Sequence, residues 1–257
     1  MPGPTIALLD KPSALDEGEL RPIAILPYIY RIWMAVRKAD TKQWTKNMHD
    51  GAFESAESQA WNLATKAEIA RHEGKVFMAA FLDCVKFYEA LEHQLAYDAT
   101  VAEGCDPAIA DMSFDMYRKT RTIQVHGAAT DLIAPERGIL AGCGIAVHHL
   151  KASINHRLDV PDLKDYVDDL TFHTVQNTVE QAVVSIDRTL DYMNEAVPGM
   201  GPNLSVKKEQ VFFNKIGCKK LWMKIRPDYK GKVGPQAKQL GCTLRGQTLA
   251  PSLRPQG

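Results

Sequence analysis

The tetrapeptide Tyr166-Val167-Asp168-Asp169 joins two strand-like runs, Leu163–Tyr166 and Leu170–Val175. Two β-prone runs with so short a link close into a hairpin, which puts both carboxylates at its tip. Upstream, Lys75–Asp83 is a run of apolar and small residues that ends in a third acid. Such a run reads as a buried strand. A helical stretch from Phe87 follows it, with Phe87, Leu91 and Leu95 in an i, i+4 row that closes near Gly104. Beyond the hairpin, Thr178–Val197 is the best helix signal in the chain. Thr178 and Gln181 form a capping-box pattern, and Val179, Val183, Ile186, Leu190, Met193 and Val197 trace one apolar face. In symbols the centre reads β-α-hairpin-α-β-β-α-β, close to a split βαβ unit. The expected class is α+β, an antiparallel sheet with helices on one face. Asp83 and the pair Asp168–Asp169 then converge on one sheet edge.

Elsewhere the pattern is weaker. Residues 1–19 are rich in proline and acids and read as irregular. A helix is expected to start near Pro27 or Tyr28. Another covers about Glu54–His72, with Trp61, Ala64 and Ile69 towards a core and Gly74 as its stop. Thr120–His126 and Ala129–Ala134, joined at Gly127, read as a hairpin. The helix bearing Ile145, Leu150, Ile154 and Leu158 comes next. Val206–Phe213, Leu221–Ile225 and Ala237–Thr243 read as strands.

Thirty-one Lys and Arg balance thirty-one Asp and Glu, yet the charges are not mixed evenly. Asn203–Gly257 holds twelve Lys and Arg against Glu209 and Asp228, a net +10, which leaves −10 for the first 202 residues. That split fits one face for phosphates, or a solvated basic tail. No apolar run reaches the length of a membrane span, and no secretory signal precedes the fold, so the expected location is intracellular, nuclear or cytoplasmic. Five scattered cysteines without a C-x-x-C pair fit free thiols. His126, His148, His149 and His173 show no ligand spacing.

Three carboxylates on one sheet edge suit two-metal phosphoryl transfer, because hard cations prefer carboxylate oxygen and two of them can hold both the attacking and leaving oxygens. Here the motifs resemble those of reverse transcriptases, in particular the domain of non-LTR retrotransposons and their group II intron relatives. Leu20-Arg21-Pro22-Ile23-Ala24-Ile25-Leu26 resembles the fingers motif R-P-I-x-L. Phe81–Tyr88 is similar to the first palm motif, an acid followed five positions on by an aromatic. Arg137–Cys143 resembles the R-G-x-x-Q-G-C turn, and Tyr166–Asp169 the Y-x-D-D box. Leu204–Lys208 is similar to L-N-x-x-K, and Lys238–Gly241 to the primer grip. The ordered motifs span residues 20–245.

The resemblance implies a polymerase palm with a ferredoxin-like sheet over residues 81–215, partial fingers over 20–80, and basic primer-grip-like strands over 216–257, without a thumb. It implies template-directed DNA synthesis with Mg2+, or Mn2+ in its place, on Asp83, Asp168 and Asp169. Tyr88 becomes the gate against a ribose 2′-hydroxyl, the alternative being a core aromatic. Arg21 becomes a triphosphate contact, the alternative being a surface ion pair, and Lys208 the group that meets the leaving pyrophosphate, the alternative being a plain phosphate contact or a solvated lysine. Gly138 and Gly142 let the backbone approach template and nucleotide, and Tyr166 belongs to the same substrate site. The implied partners are an RNA or DNA template with its primer and deoxynucleoside triphosphates. The sequence departs from the family at Ala141, where glutamine is usual, at Gly144, where proline is frequent, and at Ser205, where asparagine is usual. The chain reads as truncated at both ends, with the first fingers strands, the thumb and an endonuclease absent. A remnant palm that binds nucleic acid or protein without chemistry is therefore the alternative function.

Overall fold

A computed structural model describes residues 2–9, 20–48, 55–160, 163–166, 169–239 and 242–245. In chain order the elements begin with β1 (Thr5–Leu9), β2 (Arg21–Ile25), α1 (Tyr28–Met48), α2 (Ala56–His72), β3 (Val76–Val85), α3 (Phe87–Ala90) and α4 (His93–Ala102). Next come α5 (Pro107–Arg118), β4 (Thr122–Val125), β5 (Ala128–Ala129), α6 (Ala146–Arg157), β6 (Lys164–Tyr166), β7 (Asp169–Gln176) and α7 (Val179–Ala196). The last are β8 (Asn203–Leu204), β9 (Gln210–Phe213), α8 (Gly217–Ile225), β10 (Lys232–Gly234), β11 (Gln236–Gln239) and β12 (Cys242–Arg245).

Two compact units interleave along the chain. Met1–Ala52, Lys86–Arg157 and Met200–Pro202 make the first; Phe53–Val85, Leu158–Gly199 and Asn203–Gly257 make the second. Sequence ranges alone could not delimit them, because the chain leaves the second unit after Val85 and returns at Leu158.

The second unit is built on β3, whose residues from Val76 to Leu82 are all buried. Its sheet runs β10-β9-β3-β7-β6, and β8 pairs with the end of β3. β7 and β9 flank β3, both antiparallel to it, and β6 lies outside β7. This is the split βαβ order expected from the pattern. α7 and α8 pack together behind the sheet, where Ser185 Oγ reaches Thr174 Oγ1 at 3.4 Å. The capping box at Thr178 and Gln181 is formed, and Val183, Ile186, Leu190 and Met193 are buried as expected.

The expectation of helices on one face holds for α7 and α8, whereas α2 covers the opposite face. Its Leu63, Ala64, Ala67 and Ala70 pack with Phe77, Ala79, Phe81 and Phe212. Fully burying each Phe contributes roughly 1.5–3 kcal/mol. The buried stripe of α2 is not the one expected: Trp61 is 59% and Ile69 51% exposed. Small alanines make the contact because they let the helix lie close on the aromatic sheet.

Three further corrections concern elements. Leu221–Ile225 is helical, since Cys218 and Trp222, both buried, stand one helical turn apart on α8. Val206–Lys208 is a turn between β8 and β9 rather than strand. The helix from Phe87 is broken at Leu91, which is extended, and Glu92 caps α4 by accepting the Leu95 N–H.

In the first unit the sheet order is β2-β1-β4-β5. The stretch read as irregular thus contains β1, paired antiparallel with β2 from Thr5↔Ile25 to Leu9↔Arg21 and parallel with β4. The expected hairpin turns at His126 and Gly127, both at positive φ, as a two-residue turn of this kind requires. α5 is an addition to the sequence reading, although Asp106 caps it and Pro107 opens it. α6 packs against α1 and α4 and buries Leu150 and Ile154. Cys84, Cys105, Cys143 and Cys218 are buried and form no disulfide. Among the described residues no helix is long and apolar enough to cross a membrane.

Candidate active site

Asp83 and Asp169 stand directly opposite each other in the antiparallel ladder of β3 and β7. Opposed residues carry their Cβ atoms about 4.5–5.5 Å apart on the same face, so two carboxylates share this end of the sheet. Tyr166 pairs with Asp169 across β6 and β7, and the link between them, Val167 and Asp168, lies outside the described residues. Sequence placed an acid at a strand end and another in a hairpin; the ladder register brings those two together.

Lys208 completes this cluster. Its Nζ donates to both oxygens of Asp83, at 2.9 and 3.0 Å. The backbone delivers it there: Ser205 N–H donates to the Asp83 carbonyl at 2.8 Å, and Lys208 N–H donates back to the Ser205 carbonyl at 2.9 Å. β8, paired with Cys84 and Val85, fixes the start of that turn. The Asp83 side chain is 19% exposed and Lys208 67% exposed, so the pair is screened and contributes at most about 1 kcal/mol. Asp83 and Asp169 offer carboxylate oxygens, the donor type that hard cations such as Mg2+ and Mn2+ prefer. Among the described residues no three His, Cys, Asp or Glu side chains cluster to hold a metal, the third expected ligand being Asp168.

The other expected site residues belong to the first unit. Arg21 is exposed at the start of β2. The turn that carries Gly138 and Gly142 is bound to β2 on one side, where Ala24 N–H donates to the Ala141 carbonyl at 2.8 Å. On the other side it is bound to the chain around α3: Ile139 N–H donates to the Tyr88 carbonyl and Gly138 N–H to the Leu91 carbonyl, both at 2.8 Å. Gly138 has φ +94°, and a Cβ there would lie 2.7 Å from the Glu89 carbonyl oxygen. At Gly142, φ +99°, it would lie 3.2 Å from the Ala24 carbonyl oxygen. Both glycines stand where another stretch of the protein's own backbone comes close, a reason for glycine separate from the expected approach of template and nucleotide. Tyr88 is half-buried on α3.

Sequence reasoning missed Glu209 and Tyr229. Glu209 is buried next to Lys208, and desolvation raises its proton affinity while a hydrogen bond from Tyr229 works against that. A charged residue inside a basic stretch gave no signal of burial. His148 and His149, which show no ligand spacing in the sequence, are both buried. Thr45 Oγ1 lies 2.7 Å from His148 Nδ1, and Tyr117 Oη lies 3.1 Å from His149 Nδ1. Burial pushes His148 down to about 4 and His149 to about 3.

The split βαβ sheet, with Asp83 near the end of its central strand and Asp169 opposite it, has a reverse-transcriptase-like palm fold. The solved structures that share it include telomerases of Candida. Apo telomerase from Candida tropicalis superposes with a TM-score of 0.67 at 12% identity, covering 97% of this chain and 47% of that one. The same enzyme in complex with the TWJ fragment of telomeric RNA gives 0.64 at 12%, covering 97% and 44%. Telomerase from Candida albicans with the TWJ fragment gives 0.59 at 12%, covering 95% and 45%. The chain spans about half the length of these telomerase chains. No family model matches the sequence, and no curated protein does.

Proposed function

We propose that the chain is the palm and partial fingers of a reverse transcriptase of the non-LTR retrotransposon and group II intron type, extending a primer on an RNA or DNA template with deoxynucleoside triphosphates. The observation that carries this reading is the register of Asp83 against Asp169 with Lys208 forked on Asp83. The ordered motifs from Leu20 to Gly241 support the lineage. The fold shared with telomerases supports nucleic acid as the partner, since two of those structures hold telomeric RNA.

Asp83, Asp168 and Asp169 would hold Mg2+ or Mn2+. Bound there, two such ions would lower the pKa of a 3′-hydroxyl and neutralise charge on the triphosphate. Lys208, freed from Asp83, keeps an ammonium within reach of the leaving pyrophosphate. Arg21 offers a guanidinium fork to triphosphate oxygens. Tyr88 closes the sugar pocket against a 2′-hydroxyl, while Gly138 and Gly142 let template and nucleotide lie on bare backbone. A second reading, a palm that binds without chemistry, is favoured by Ala141 where an amide is usual. Primer extension on RNA and DNA templates separates the two. Deoxynucleotide addition that disappears in Asp83→Asn, with primer–template binding retained, supports the first. Binding without extension in the parent chain supports the second.

A further inference from the structure

Glu209, one residue beyond Lys208, is only 4% exposed. Tyr229 Oη donates to its Oε1 at 2.7 Å. The Tyr229 ring stands edge-on to the buried Trp222, with centroids 5.2 Å apart. Arg226 lies over the same indole at 5.7 Å and is ion-paired to Asp187 and Asp191 of α7. Gly231 makes room for the phenol, since a Cβ there would come within 2.6 Å of the Tyr229 ring. Glu209 and Tyr229 border a cavity of about 390 Å3 with Val206 and Lys230.

A surface turn does not need a buried acid for its shape, and a carboxylate taken out of water is costly unless it is hydrogen-bonded. The backbone shows what this one holds. The N–H groups of Lys208 and Glu209 both donate to the Ser205 carbonyl, at 2.9 and 3.1 Å, while Ser205 N–H is bonded to Asp83. The Glu209 carbonyl accepts Lys232 N–H at 2.9 Å. Movement of Glu209 is therefore passed directly to the turn that carries Lys208.

We propose that Glu209 and Tyr229 are positioning residues which anchor the Val206–Lys208 turn from below and so hold the Lys208 ammonium on Asp83. The proposal rests on the reading of Lys208 as a group that acts at that carboxylate. Neither residue touches substrate.

The test uses the whole chain and two readouts. The first is acylation of lysines at fixed pH, followed by mass spectrometry, with Lys208 compared against Lys207 and Lys230. Tyr229→Phe leaves the buried carboxylate without its donor, so Lys208 labelling should rise about two- to fivefold, the most that a screened pair with Asp83 can protect. The double variant Tyr229→Phe with Glu209→Gln should label no faster than Tyr229→Phe alone, because the two substitutions remove the same hydrogen bond. The second readout is primer extension, where Tyr229→Phe should lower kcat roughly tenfold, about 1.4 kcal/mol, with KM for deoxynucleotide unchanged. Lys208 labelling that stays at the parent level in Tyr229→Phe overturns the proposal, as does a double variant whose effect is the sum of the two single ones. If Lys208→Ala leaves kcat unchanged, the reading of Lys208 itself fails. If Lys208→Ala slows extension and Tyr229→Phe does not, only the positioning pair fails.

Discussion

Gly138 shows how far one residue can be specified. Its positive φ and the Glu89 carbonyl 2.7 Å from any Cβ leave no alternative to glycine. Gly127 also has positive φ, yet nothing lies within 4 Å of its Cβ position. Gly138→Ala should cost about 2 kcal/mol or more in urea unfolding, because strain and collision add, and Gly127→Ala about 1 kcal/mol, from strain alone. Equal costs at the two positions would contradict close approach as the reason for Gly138. Asp83 could be picked out in the sequence from its place at a strand end, and Gly138 and Lys208 from the motifs they share with the family the chain resembles. The Lys208–Asp83 contact could not, because 125 residues separate the partners and only the fold joins them.

Elements with strong local signals came through intact. α7 carries its cap, its apolar stripe and its stop in contiguous residues. α8 did not, since Leu221–Ile225 is short and apolar, and such runs suit helix or strand until the turn-spaced pair Cys218 and Trp222 is weighed with them. α2 was found, but its buried stripe was misread because alanines, not Trp61 and Ile69, meet the sheet. The junction of α6 with α1 makes a prediction of its own. His148 and His149 titrate near 4 and 3 in the folded chain, well below the ordinary 6.5. Between those values the unfolded chain binds more protons, so stability is lost as pH falls from about 6.5 towards 3. His149→Phe should flatten that acid limb, measured as melting temperature between pH 7.5 and 4.5. An acid limb as steep as the parent's would show that the dyad does not govern it.

Across the whole molecule, charge and fold answer different questions. The zero net charge hides a basic C-terminal quarter, and α8 presents Lys219, Lys220 and Lys224 to solvent on a helix anchored by Trp222. Reversing these three to glutamate should weaken primer–template binding on all sequences alike. The dependence of log affinity on log salt should flatten by about 0.9 for each phosphate that is no longer neutralised. An unchanged slope would make the basic run a solvated tail. The palm sheet was legible in the sequence because its strands are apolar and its acids fall at their ends. The interleaving of two units was not, because no composition shift marks the crossings at Val85 and Leu158.

The central claim is that Asp83 and its neighbours form a cation site now spanned by an ammonium. Titration of Mn2+ into the chain with primer–template and deoxynucleotide, followed by electron paramagnetic resonance, tests it directly. The ion should bind, Asp83→Asn should abolish that binding, and Lys208→Ala should strengthen it, because the competing ammonium is gone. Binding that Asp83→Asn leaves untouched would contradict the claim.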